Sequence, residues 1–403
     1  MNKKFLLWDN PKQAILTMTL FLLIMGCINV FSASFVAAKA DASNPFHYLQ
    51  RYIMFAVLCF LLMLAIKNTN YKRFLNSKFL WISFWFTTGL LLLVKLVGTA
   101  TKGAARWLPL GPFSLQPSEI AKLVVIVIAA GILGRLMKKG QQLDLQDLWL
   151  KDTQLLAIAT GVFCLFIFLQ PDLGTAAIVA ALAACMLVLA GLKMYLVWRG
   201  LGLAMILAVV GTVSSAYRLN RIKVWWDPWI DKKDLGYQMV QSQIAIGSGG
   251  ITGTAWGHGS AKLLYLPEAH TDFAFAVFCQ ENGLLGACLM ILFFCILVAA
   301  FTRIICHAKD ERGYLLAAGA TLLVVGQAVA NMAMVVGYLP VIGVPLTFIS
   351  YGGSSMLVSM LAIGLILSVY EDEVKREKLE AIPPETRRQD MRFTSNPWSS
   401  DRR

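Results

Sequence analysis

Residues 271–301 read TDFAFAVFCQ ENGLLGACLM ILFFCILVAA F, a run in which Asp272 and Glu281 are the only charges. Roughly 20 helical residues cover a ~30 Å hydrocarbon core, so this stretch is long enough to cross a bilayer. Lipid offers no partners to open backbone groups, and a crossing segment must therefore close its hydrogen bonds internally, as a helix does. Similar apolar runs lie near 13–38, 49–66, 79–98, 118–136, 153–169, 173–192, 194–216, 313–338 and 351–370. With 58% hydrophobic residues, 15% charged residues and mean hydropathy +0.65, the chain has lipid as its main solvent. The expected fold is all-α: a polytopic integral membrane helical bundle of about ten transmembrane helices, with a large outer loop, 217–270, between the seventh and eighth.

The first run follows Lys3, Lys4 and Lys12 and is longer than a signal-peptide core, so it reads as an uncleaved anchor despite the Ala38, Lys39, Ala40 triplet. Lys67, Lys72, Arg73 and Lys78 fill one loop, Arg135, Lys138, Lys139 and Lys151 a second, Arg303, Lys309 and Arg312 a third. Positive loops stay inside, which puts both termini in the cytoplasm of a bacterial cell and residues 170–173 and 339–350 outside. The outer loop nevertheless carries Arg218, Arg221, Lys223, Lys232, Lys233 and Lys262. Cations held outside against the bias suit an anionic ligand, or pairing with Asp227, Asp231 and Asp234.

The chain divides into a membrane domain, residues 1–370, and a charged, Pro- and Ser-containing segment, 371–403, expected to be a disordered cytoplasmic tail. The net charge of +13 fits anchoring to anionic lipid, and no basic stripe interleaved with aromatics points to nucleic acid. The eight cysteines lie in or beside the apolar runs without Cys-x-x-Cys spacing, so neither a zinc site nor a disulfide framework is indicated.

Four polar constellations gather on the expected outer face. In the first, Arg106 and Trp107 precede Gln116-Pro117-Ser118-Glu119, and Lys122 follows; Glu119 and Lys122 at i, i+3 share one helix face. Such a pair either ties helices together or touches substrate, while the Arg106 guanidinium suits phosphate. In the second, Gln170-Pro171-Asp172, Asp172 is placed to cap the sixth helix. The third runs from Gly236 through Gly247-Ser248-Gly249-Gly250 to Leu266-Pro267-Glu268-Ala269-His270-Thr271-Asp272-Phe273. Asp272 stands at the mouth of the eighth span beside His270, with Phe273 and Phe275 as an apolar wall, a setting for a general base or a helix cap. Glu281, deeper on that span, suits packing. The fourth, Gly343 through Thr347 and Ser350-Tyr351-Gly352-Gly353-Ser354-Ser355, reads as a loop closing a cavity.

On these four ordered motifs the sequence resembles the SEDS family, which includes FtsW, RodA and SpoVE, over residues 13 to 370. The wording Gly111-Pro112-Phe113-Ser114 and Asp227-Pro228-Trp229 is closer to the FtsW and SpoVE branch; Thr347 and Gln280-Glu281-Asn282 depart from the family pattern. The resemblance implies an inverting peptidoglycan glycosyltransferase that polymerises lipid II at the outer face of the cytoplasmic membrane. It implies Asp272 as general base and undecaprenyl diphosphate as leaving group. Arg106, Glu119, Lys122, Arg218, Arg221, His270 and Ser350 are then the expected substrate contacts. A divalent cation, Mg2+ or Mn2+, is expected to help the diphosphate depart, although no metal-ligand motif is visible. The implied partners are a class B penicillin-binding protein supplied in trans and other division or elongation proteins. A lipid II flippase and a noncatalytic scaffold for a synthase are the alternatives.

Overall fold

The computed structural model describes residues 10–101, 104–110, 113–137, 142–144, 146, 151–213, 216–234, 236–259 and 266–381. Within them lie twelve helices: α1 Pro11–Ala42, α2 His47–Lys67, α3 Ser77–Val97, α4 Pro117–Leu136, α5 Lys151–Phe168, α6 Leu173–Leu189, α7 Met194–Val213, α8 Ala216–Trp226, α9 Tyr237–Gly249, α10 Ala274–His307, α11 Glu311–Val336 and α12 Gly353–Ala381. Ten of these coincide with the ten apolar runs. Six (α1, α2, α3, α10, α11 and α12) are long and apolar enough to cross a membrane by length and composition. The protein is a multi-pass membrane helical bundle.

Beside the helices, three short strands, β1 Thr99–Thr101, β2 Ala104–Leu110 and β3 Phe113–Leu115, pair antiparallel in that order. The outer loop carries α8 and α9. One expectation is corrected. The charged segment after residue 370 is no free tail as far as Ala381, because α12 continues through it; residues 382–403 lie outside the described residues.

That continuation follows from charge complementarity. Glu371 meets Lys12 at 2.7 Å, Asp372 meets Lys72 at 2.8 Å, and Glu380 meets Lys309 at 2.7 Å. The Lys309 amide also donates to Glu373 at 3.0 Å. Each exposed pair contributes little alone, yet together they hold the extra helical turns against three other elements. Tyr71 donates to Asp310 at 2.8 Å on the same end, and burial followed by that bond pushes its phenol above the ordinary range.

The centre of the bundle is α4, buried from Pro117 to Leu133 apart from Ile120 and Val124, flanked by α11 and α12. Small residues allow this: a methyl added at Gly131 would sit 2.8 Å from Leu80, and one at Gly319 would sit 2.6 Å from Ile126 and Met186. By contrast α2 and α3 turn large apolar side chains outward, Val57 and Trp85 among them, as lipid-facing helices do.

Helix α10 is broken at Gly283, whose φ of 63° and ψ of −165° belong to glycine. The interrupted ladder is repaired by residues 249–254. The amides of Leu284 and Leu285 donate to the carbonyls of Gly250 and Ile251 at 3.0 and 3.1 Å, and the Gln280 carbonyl takes the Thr254 amide at 3.0 Å. The segment after α9 is thereby welded to the helix that Asp272 precedes.

Candidate active site

At the end of the bundle opposite the Lys12, Lys72 and Lys309 ion pairs lies a cavity of about 950 Å³. Its wall draws on α2, the small sheet, the start of α6, α8, α9, residues 268–272, residues 340–345 and the start of α12. Asp272 is on that wall, as are three cations, Arg51, Arg106 and Arg221, and two further carboxylates, Asp172 and Glu268.

Local chemistry sets the Asp272 turn. Glu268 adopts a left-handed φ of 56°, and its carbonyl accepts from the amides of Thr271 and Phe273, both at 3.2 Å. The Thr271 hydroxyl donates to the Glu268 carboxylate at 2.6 Å. Phe273 and Phe275 are buried behind the turn, the apolar wall expected from the sequence. The N-cap position of α10 is Phe273, whose side chain makes no capping hydrogen bond. Asp272, one residue earlier, lines the cavity. Gly343, at φ 67°, faces it, and a methyl there would lie 3.5 Å from the Asp272 Oδ2.

Behind the wall, Asn331 of α11 donates to the carbonyls of Asp272 and Val344, at 2.7 and 2.6 Å. One turn earlier Gln327 donates to the Pro345 carbonyl at 3.2 Å and to the Ser355 hydroxyl at 2.5 Å. The Gln327 carbonyl takes a 2.6 Å bond from Lys122, which also bonds Glu119 at 2.8 Å. Two amides on one helix face thus fasten the Asp272 turn, the 340–345 loop and the start of α12 together.

Arg106 lines the cavity, with its Nε donating to the Gln170 carbonyl at 3.2 Å, a further N–H to the Pro171 carbonyl, and Asp172 4.0 Å away. Asp172 caps α6 as expected, accepting from the Thr175 amide at 3.2 Å and from its hydroxyl at 2.9 Å. Arg221 of α8 also reaches the cavity, while the Arg218 side chain lies outside the described residues.

Four expected substrate contacts are placed elsewhere. Glu119 and Lys122 are 3% and 0% exposed and belong to the buried network beneath the wall. Ser350 is buried, its hydroxyl accepting from the Leu346 amide at 2.9 Å, which folds the loop. His270 does not itself line the cavity: its ring packs 4.7 Å from the Tyr48 ring and 5.9 Å from that of Tyr351, a wall residue, and its carbonyl takes the Tyr351 amide. Glu281 has the packing role expected, accepting from Ser32 of α1 at 2.6 Å and from the Gly257 amide at 3.2 Å.

Sequence reasoning missed Arg51, Gln327 and Asn331. Each is a polar residue within an apolar run, which was a usable signal, because such residues seldom face lipid. Among the described residues no three His, Cys, Asp or Glu side chains form a metal-holding group.

Fold and site together define a polytopic membrane protein with a charged cavity sunk into one end of its bundle. Residues 12–375 match the cell cycle protein family of FtsW, RodA and SpoVE, and the chain belongs to that family. A probable peptidoglycan glycosyltransferase FtsW from Geobacter sp. (strain M18) is 36% identical over 359 residues, 88% of this chain and 95% of the relative. Stage V sporulation protein E of Bacillus subtilis is 35% identical over 364 residues, covering 89% and 97%. The rod shape determining protein RodA of Thermus thermophilus superimposes with TM-score 0.63 at 25% identity, covering 89% of this chain and 96% of that one. A chain from a structure described as coordinating polymerization and crosslinking in a peptidoglycan synthase complex shares the fold, with TM-score 0.70 at 24% identity over 90% and 98% of the two chains.

Proposed function

We propose that this chain is a peptidoglycan glycosyltransferase that polymerises lipid II in the cavity, with Asp272 as general base. The carrying observation is that Asp272 shares one cavity wall with three arginines. The acceptor 4-hydroxyl oxygen attacks the donor's anomeric carbon while its proton passes to the Asp272 carboxylate. The bond from that carbon to the diphosphate oxygen breaks, its electron pair leaving with undecaprenyl diphosphate. Direct displacement inverts an α-linked donor to a β-1,4 product, and cationic donors set in place beforehand stabilise the departing charge.

The positive-inside rule puts the Lys12, Lys72 and Lys309 end in the cytoplasm and opens the cavity on the outer face of the cytoplasmic membrane. A class B penicillin-binding protein is the proposed partner, in keeping with the polymerization and crosslinking named for the structurally similar synthase complex. A flippase needs polar residues continuing through the bundle. Here the Glu119, Lys122 and Gln327 network is followed along α4 by the buried apolar residues Val125 to Leu133, which favours the enzyme.

The test is polymerisation of labelled lipid II by the purified chain with its partner, comparing wild type with Asp272→Ala and Asp272→Asn. Glycan from wild type and none from either variant is expected. Undiminished glycan from both variants would remove Asp272 from the chemistry.

A further inference from the structure

The acidic residues of the outer loop do not neutralise its lysines. Asp227 turns back on its own backbone, accepting from the Trp229 amide at 3.0 Å at the start of a 3₁₀ turn, Pro228–Asp231. Lys223, Lys232 and Lys233 are exposed and make no ion pair among the described residues. Their charge is open to an anion from outside the chain.

Beside these lysines lies an apolar face. Leu219, Ile222 and Trp226 are three and then four residues apart, hence on one side of α8, and all three point away from the bundle, Trp226 being 86% exposed. On the other side of the helix Val224 is buried and Arg221 reaches the cavity. The 3₁₀ turn repeats the division: Pro228 is buried, while Trp229 and Ile230 are exposed, the latter at 72%. Large apolar side chains grouped in this way seldom face water, and the patch calls for a cover.

Position decides what covers it. Only residues 214 and 215 separate α8 from α7, an apolar helix of 20 residues, so α8 begins where a span ends. Arg221 shares the cavity with Phe55 of α2 and Ala177 of α6, both past the first turn of their helices, which sets α8 level with the ends of the spans rather than above them. Val213, the last residue of α7, is exposed too, and the apolar surface runs on from it to Leu219. Tryptophan and aliphatic side chains on one face with lysines at its edge are the composition of a helix lying in the boundary between acyl chains and headgroups. Phospholipid supplies both partners at that boundary, hydrocarbon for the apolar face and phosphate for the lysines.

We propose that α8 and the 3₁₀ turn are an in-plane anchor in the leaflet at the cavity end of the bundle. Leu219, Ile222, Trp226, Trp229 and Ile230 sit among the upper acyl carbons, and Lys223, Lys232 and Lys233 bind phospholipid phosphates, those of anionic lipids most strongly. Because Arg221 stands on the same helix, the anchor ties that part of the cavity wall to the membrane surface. The proposal is independent of the reaction carried out in the cavity.

The test places one cysteine at a time, Trp226→Cys, Ile230→Cys or Asp234→Cys, in the full chain carrying Cys185→Ala, Cys288→Ala, Cys295→Ala and Cys306→Ala. Each is labelled with an NBD fluorophore and reconstituted in phosphatidylcholine vesicles with and without phosphatidylglycerol, and the signal of the labelled parent chain is subtracted. Labels at 226 and 230 are expected to emit blue-shifted light and to be quenched by nitroxide lipid but not by iodide, and the label at the exposed position 234 to do the reverse. Iodide quenching at 226 and 230 equal to that at 234 would overturn the anchor, as would shielding that arises only when a second membrane protein is added. Should Trp226→Cys fail to fold, Ile230→Cys decides alone. Phosphatidylglycerol is expected to increase the blue shift at 230, and the combined Lys223→Gln, Lys232→Gln and Lys233→Gln variant to lose that increase. An increase that is absent from the start, or that survives the three substitutions, would overturn the headgroup contact.

Discussion

Asn331 clamps the backbone of Asp272, donating 2.7 Å to its carbonyl while the same amide nitrogen reaches the Val344 carbonyl at 2.6 Å. Asn331 is fully buried, so no water can replace either bond. Asn331→Ala leaves two buried acceptors open, at about 1–3 kcal/mol each. Expected outcomes are a clearly lowered thermal midpoint and a fall in kcat larger than the rise in KM for lipid II. Asn331→Asp, similar in shape but without the donor, should behave alike.

Asp272 itself is expected to matter to chemistry far more than to folding. The N-cap position of α10 is Phe273 rather than Asp272, and an amide keeps the carboxylate's shape, so Asp272→Asn should melt close to wild type and well above Asn331→Ala. General-base loss predicts a rate reduction of about 10²–10⁴-fold, read by glycan formation at saturating lipid II.

The Glu119–Lys122 pair gives a third prediction. Removing one partner of a buried pair strands the other, at about 3–5 kcal/mol, whereas replacing both with apolar or neutral groups costs much less. Lys122→Met alone should therefore melt far below the double variant Glu119→Gln with Lys122→Met. A double-mutant cycle in thermal midpoints checks this, and equal losses in single and double variants would contradict it.

Gly283 and Gly247 offer a matched contrast. A methyl at Gly283 collides with the Ile251 carbonyl and the Gly253 amide at a backbone conformation reserved for glycine. A methyl at Gly247 of α9 meets nothing within 4 Å. Gly283→Ala should destabilise severely and loosen residues 249–254 to proteolysis, while Gly247→Ala should be neutral or gain up to about 1 kcal/mol from helix propensity.

What could be read from the sequence is what depends on short range. Apolar runs of about 20 residues dictate helices whatever they pack against, and Asp172 two residues before Gly174 is a local cap. The polar residues of 266–273 and 343–355 announced a cavity because they interrupt apolar spans. The rest depends on partners distant in the chain. Glu371, Asp372 and Glu380 looked like solvated tail charges, yet their counter-charges sit on α1, beside α3 and after α10. Glu119 and Lys122 were visible as a pair, but their depth beneath the wall depends on Gln327, which lies 205 residues from Lys122. The strand pairing of Thr99 with Trp107 has too few residues to leave a period-2 signature.

The ion pairs on the extension of α12 also bear on how the chain is made. Lys12 is among the first residues of the bundle to emerge from a ribosome, and its counter-charge on Glu371 is among the last. A nascent chain short of residue 371 would hold Lys12, Lys72 and Lys309 without these carboxylates. The extension therefore ties the first helix to the last, and the Lys12–Glu371 pair can close only after α12 has been made.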